Sequence, residues 1–592
     1  MNYTDLKKQT NRGWNTWNVR SVLSFAHLPE GFAINLAIKD FHTADILRES
    51  LIGRRGPNQE HTFPGPRTYD GRCIRMSMEY YKTELDIKAM VQDGEQIILV
   101  TPTKLADSHP ILIVEANQLW GGEGCVFKKN GRLGGEYDSR RFDVFIQSDS
   151  PVVQGLQTYS TSPSGPLRLD APVVISTRPC TVEEAEALYA QAFAELEAVN
   201  SAYGTHAEAY AAMKTCLAWN TIYEMEHDRI CSPVSRQWCL WNRGYVLFDW
   251  DTYFASLIAS LENKELAQLN AIAITDEVTP DGFIPNFGTG DGIKSTDRSQ
   301  PPVGSFACME IYKKYPETWF LEHVYPVMLS WNRWFGENRM TEEGYMCWGS
   351  GPSGGGHDWQ AAAYESGLDN SPMFDGIPFD AERHIMLLAD VGLMGLYIMD
   401  CRCLSEMAKA LGHDEVIPEL EARKAKVEAA LATLWDEEFG MFLNKDLRDG
   451  SLSRRISPTN FYALQADFVT EEQKRRMMDE HFYNPEEFWG EFIMPTIARN
   501  DPAYPDQDYW RGRIWAPTNF LAYAAMKHAG LKKECTDLAK KSEELLLKEW
   551  RLHGHVHENY GGDSGMGCDK GNSDPFYHWG GLLAYIAIDN EG

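Results

Sequence analysis

At Thr181 the hydrophobic period of the chain switches from two to nearly four, and no single regular architecture accommodates both. Before it, short runs rich in Val, Ile, Phe and Tyr are bounded by turn residues, at 22–28, 32–41, 74–81, 95–101, 110–116, 142–148 and 171–177. Several alternate apolar and polar residues, which turns one face of each strand to a core. They predict an N-terminal antiparallel β-sandwich domain over residues 1–180. Residues 181–199 then open on a Thr cap with glutamates in the first turn, predicting a linker helix within 181–205. Further helical segments follow at roughly 206–226, 251–272, 304–315, 317–338, 381–411, 415–436, 459–467, 471–482, 518–529, 532–551 and 580–589, without strands between them. Helical hairpins at that spacing predict a mainly α domain over 206–592, an (α/α)6 toroid of about twelve helices. A plain α-solenoid is the alternative, and the lack of a repeat of fixed period counts against it.

A chain of 592 residues exceeds what one hydrophobic core usually serves, which suits two domains. Its 56 Lys and Arg against 85 Asp and Glu give a net charge of −29. That balance disfavours nucleic acid, anionic membrane surfaces and polyanionic polysaccharides, and a neutral or weakly charged ligand fits better. No apolar run approaches a membrane span, residues 1–17 lack the apolar core of a secretory signal, and the twelve cysteines show no metal-finger spacing. A cytoplasmic location is expected. No cofactor and no catalytic metal are expected, and the sequence leaves a structural calcium and the oligomeric state open.

Three of the 18 tryptophans lie before residue 200 and fifteen after it, many of them between helices instead of within them. Tryptophan gathered on loops suggests a stacking surface for sugar rings. Five inter-helical segments carry both aromatics and carboxylates or polydentate donors. They are Phe248–Phe254 (FDWDTYF), Lys294–Pro302 (KSTDRSQPP), Tyr364–Pro372 (YESGLDNSP), Tyr509–Asn519 (YWRGRIWAPTN), and His557–Gly562 (HENYGG) with Ser573–Gly580 (SDPFYHWG). Each alone fits a capping or surface role; Asp251 with Thr252, for example, could cap the helix that follows. Together, spread over some 330 residues and always at helix boundaries, they are hard to explain structurally.

In this order the segments resemble glycoside hydrolase family 63 and, more distantly, the trehalases of the same (α/α)6-barrel clan. FDWDTYF resembles the first trehalase-type signature, and DRSQPP the Arg-Ser-Gln-Pro-Pro segment. ESGLDNS resembles the segment that carries the general acid, YWRGRIWAPTN the Trp-rich signature, and ENY the position of the general base. The likeness covers about residues 206–592. It implies an inverting glycoside hydrolase acting on a small neutral oligosaccharide or glycoside, with Asp369 as general acid and Glu558 as general base. Phe248, Trp250, Asp251, Arg298, Gln300, Trp510, Gly512, Trp515, Tyr577, His578 and Trp579 would line the sugar site. Glu365, four residues before Asp369, would orient the loop or bind a hydroxyl.

Asn370-Ser371-Pro372 after the acid, and Arg511-Gly512-Arg513, depart from the trehalase pattern, so trehalose is a poor first substrate. An α-glucoside is the first expectation and a mannosyl- or glucosylglycerate the alternative. Gly351–His357 reads as a mobile loop over the site. Arg511 or Arg513 could receive a glycerate carboxylate, although a structural ion pair is the favoured reading for both. An inverting phosphorylase, a lyase and a non-catalytic carbohydrate-binding protein are the rival readings.

Overall fold

The computed structural model of the chain describes residues 1–41, 45–53, 60–107, 109–241 and 244–591. The chain divides into two compact units, Thr4–Tyr245 and Val246–Gly592, the second also including Met1–Tyr3. The boundaries expected near 180 and 205 both fall inside the first of these units.

The first unit is built on two antiparallel sheets. One runs Gly13–Asn15, Ser24–Leu28, Phe32–Lys39, Ile111–Gln118, Ser164–Arg168. The other orders eight strands as Cys125–Lys129, Arg132–Glu136, Arg141–Gln147, Val173–Ser176, Glu95–Lys104, Thr83–Gln92, Cys73–Tyr80 and Glu60–Arg67. Phe32 of the first stacks on Phe142 of the second with ring centres 4.7 Å apart, and Trp14 meets both edge-on, so apolar faces close on each other. The helix Val182–Ser201 is capped as expected, with Thr181 accepting from the Glu184 amide. It is more than a linker. Ala185, Tyr189 and Leu196 pack it onto Cys73, Met90, Ile97, Leu99 and Val174 of the larger sheet. The next helix, Ala207–Asn220, is tied to the same unit, where Trp219 donates to the Gly65 carbonyl (2.8 Å) and Arg67 to that of Ala218 (2.5 Å).

In the second unit, helices pack in a closed sequence. Asp249–Ser260 packs on Gly304–Lys314, which packs on Val391–Leu411. That helix meets the 3-10 segment Pro458–Gln465, followed by Ala516–His528 and Leu582–Glu591, and the last returns to Asp249–Ser260. Asp249–Ser260 is buried at every residue, as befits an element enclosed by others. A second set of helices backs this ring. Lys532–His553, for example, presents a single buried stripe of Cys535, Leu538, Ala539, Ser542, Leu545, Leu546 and Glu549. The expected segment 251–272 is two helices, because Asn263 caps a new start by accepting from the Leu266 amide. The expected 381–411 begins only at Val391, behind an Asp390 cap. Among the described residues no helix is long and apolar enough to cross a membrane.

Candidate active site

Every one of the five segments leads into a helix of the ring: 248–254 into Asp249–Ser260, 294–302 into Gly304–Lys314, 364–372 towards Val391–Leu411, 509–519 into Ala516–His528, and 557–580 into Leu582–Glu591. They are joined to each other by hydrogen bonds. Tyr577 donates to Asp251 (2.9 Å), the Ser299 amide to Glu365 (3.1 Å), the Trp510 amide to the Asn370 side chain (2.9 Å), and Tyr509 to Glu558 (3.1 Å). Trp250, Trp510 and Trp579 form one cluster, with Trp250 5.8 Å from Trp579 and 6.2 Å from Trp510. Gly367, in the left-handed region at φ +71, lies so close to Trp250 that a Cβ there would fall 2.5 Å from its ring.

Asp369 and Glu558 both lie within electrostatic reach of Asp251 and Tyr509. Burial pushes the Asp369 carboxyl up to about 7, against the pull of the Arg298 guanidinium. Burial and the neighbouring Asp574 charge raise Glu558 well above its ordinary value. Two donors work the other way there, the Tyr509 hydroxyl and the Asp574 amide at 2.9 Å. The Glu558 backbone is fixed as well, its N–H on the Asp574 carbonyl (2.9 Å) and its C=O under the Trp579 indole (2.9 Å). Burial lifts Asp251 to about 8 and the Asp369 charge adds to this, while the Tyr577 hydroxyl opposes it. A desolvated cluster of carboxyls of this kind holds protons near neutral pH, which is what acid–base work on a glycosidic oxygen requires.

Several of the expected contacts take a different form. Asp251 is in the first turn of its helix instead of capping it, and Phe248 at the cap position makes no side-chain cap. Glu365 closes the short helix Trp359–Glu365, which the sequence reading leaves as loop, and it is completely buried. Its two oxygens are taken by Arg339 (2.6 and 2.9 Å) and by the amides of Ser299 and Gly349 (3.1 and 2.7 Å). No acceptor remains for a sugar hydroxyl, so Glu365 orients loops. Trp515 stacks flat on Trp510 at 3.7 Å, and both rings are buried. Gly512 donates to Thr496 and accepts from Gln507, and its φ of +97 shapes the turn. Arg511 pairs with Asp375 and Asp506, and Arg513 with Asp569, so both arginines are structural.

Of the remaining residues, Arg298 lies over the Tyr364 ring at 5.2 Å and is held by Asp297 and Asn286. Gln300 is buried with its side-chain oxygen unbonded. Phe248 packs edge-on to Phe287, and His578 is fully buried with both ring nitrogens unbonded and its pKa lowered to about 3 by burial. Loop Gly351–His357 is tethered through Asp297, which takes the Gly351 amide on its carbonyl and the Ser350 hydroxyl on its carboxylate. Tyr509, Asn370 and Asp574 were not expected in the site. All three lie inside the segments 364–372, 509–519 and 573–580 singled out for their aromatics and carboxylates.

A ring of helices whose loops gather paired carboxyls among tryptophans belongs to the glycoside hydrolases. The particular family is the one described as the mannosylglycerate hydrolase MGH1-like glycoside hydrolase domain: its model matches residues 244–579, and the chain belongs to it. This bears out the resemblance drawn from the five segments. The chain is similar to a mannosylglycerate hydrolase of Rubrobacter radiotolerans, with 24% identity over 49% of this chain and 74% of that protein. It is also similar to mannosylglycerate hydrolase MGH1 of Selaginella moellendorffii, with 22% identity over 55% of this chain and 77% of that protein. A bacterial glucoamylase crystallised with acarbose shares the fold over 98% of this chain and 95% of its own, with a TM-score of 0.51 at 9% identity.

Proposed function

We propose that the protein is an inverting, exo-acting hydrolase of small α-linked glycosides on an (α/α)6 barrel, with Asp369 as general acid and Glu558 as general base. The observation that carries this reading is the pair itself. Burial holds the proton on Asp369 near neutrality, and Glu558, which shares the neighbours Asp251 and Tyr509 with it, has two donors that favour its charged form. Asp369 would protonate the leaving oxygen while Glu558 draws a proton from a water attacking the opposite face, an arrangement that needs roughly 6.5–9.5 Å between the carboxyls. The six ring elements with helices behind them support the barrel. The names of the relatives put mannosylglycerate ahead of simple α-glucosides. With Arg511 and Arg513 already paired, the glycerate carboxylate would need another partner.

The test is to incubate the full-length protein with mannosylglycerate, glucosylglycerate, α-linked disaccharides and trehalose, and to follow release by proton NMR. The β-sugar appears first from a glycerate glycoside. If the α-sugar comes first, inversion is wrong. Phosphate-dependent turnover would identify a phosphorylase, and binding without release a lectin-like protein. The pH profile is a second check. Activity falls as pH rises through about 7, where Asp369 loses its proton, and the acid limb, set by Glu558, lies well above the ordinary carboxylate range. Tyr509→Phe removes a donor to the carboxylate, raising the pKa of Glu558. The acid limb of kcat/KM moves up by about one pH unit while the alkaline limb stays in place.

A further inference from the structure

Beside the loop that presents Glu558 lies a group of side chains that the reaction does not use. The helix Lys532–His553 ends with Glu549 and His553 four residues apart, on one face. Gly554, in the left-handed region at φ +69, terminates it, and the chain brings His557 back against that face. The Glu549 Oε2 atom lies 3.3 Å from His557 Nε2 and 3.6 Å from His553 Nε2, and the three donor atoms all fall within 4.8 Å of one another. Two ligands bound tetrahedrally to zinc at roughly 2.0–2.2 Å stand about 3.3–3.6 Å apart, so these separations suit one shared ion.

The protonation pattern points the same way. His557 Nδ1 is 3.0 Å from Cys568 Sγ, and that thiol in turn lies 3.4 Å from the Ser573 carbonyl. If the thiol gives its proton to the carbonyl, sulfur accepts Nδ1–H and Nε2 keeps a free lone pair facing Glu549. This nitrogen is fully buried and faces a carboxylate oxygen 3.3 Å away without a well-aligned hydrogen bond. A lone pair turned on a carboxylate in a buried place is repulsive unless a cation joins them. The negative end of the helix dipole adds to the attraction. Lys548 holds the other oxygen of Glu549 (2.9 Å), and the Gly567 amide shares Oε2 (2.9 Å), which leaves one lone pair of Oε2 for a metal. His553 is exposed and gives an ion its way in.

We propose that Glu549, His553 and His557 bind one divalent transition-metal ion, zinc by their donor set, and so pin the chain immediately before Glu558 to the end of this helix. Two imidazoles and a carboxylate select zinc-like ions over calcium or magnesium, which prefer all-oxygen shells. The test uses the full chain, dialysed against chelator and titrated calorimetrically with zinc chloride. One ion binds per chain and raises Tm. His553→Ala, a change at an exposed position, leaves the zinc-free Tm in place. It weakens binding by at least about tenfold, since even partners behind the ligands cost that much, and it abolishes the zinc-dependent rise in Tm. Cobalt substitution of the wild type gives the visible bands of a tetrahedral site. No zinc binding by the wild-type chain would overturn the proposal, as would equal affinity in His553→Ala.

Discussion

Asp369→Asn and Glu558→Gln each lower kcat/KM on the natural glycoside by about 10²–10⁴-fold while the protein stays folded. Both changes keep the shape of the side chain and remove only its ability to give or take a proton. The two variants separate on a substrate whose leaving group needs no protonation, an α-glycosyl fluoride. There Asp369→Asn recovers much of its turnover, because the acid has nothing left to do. Glu558→Gln does not recover, because water must still be activated. Rates on both substrates, with circular dichroism as the folding control, decide the matter. Wild-type rates in either variant on the natural glycoside would remove that residue from the mechanism, and equal recovery by both on the fluoride would undo the division of roles.

Arg339→Ala destabilises the helical unit by about 3–5 kcal/mol, the cost of leaving a buried carboxylate without its cation. Arg339 and Glu365 are 2 and 0% exposed, and the pair sits between the loop ending at Gly349, the loop at Ser299 and the segment that carries Asp369. The loss therefore also reaches activity, since these loops set the position of the acid. Replacing both partners with Met restores only part of the stability, because the amides of Ser299 and Gly349 are then left without an acceptor. Urea unfolding followed by tryptophan fluorescence measures both effects. A loss below about 1 kcal/mol in Arg339→Ala would show that the pair is not what holds these loops.

The change of period at Thr181 and the helical spacing beyond it were legible because burial writes itself into local pattern. What the pattern lacks is the identity of the partner. The apolar face of Val182–Ser201 is plain in the sequence, but only the fold shows that Cys73, Met90 and Leu99 cover it. The helix Trp359–Glu365 escaped because seven residues are too few for a periodic signal, so Glu365 looked like a loop carboxylate when it is an internal ion-pair partner. Glu549 and His553 meet His557 only through the turn at Gly554, which no local periodicity announces.

The ring of helices also bears on when the enzyme becomes competent during synthesis. Asp249–Ser260 is complete after less than half of the chain has been made, yet the element that packs on it to close the ring, Leu582–Glu591, comes some 320 residues later. At about 5–20 residues per second, the early helices wait tens of seconds with an apolar flank uncovered. Asp369 emerges long before Glu558. A nascent chain thus holds Asp369 without Glu558 while the ring is still open. That interval is also when the protein most needs protection from aggregation.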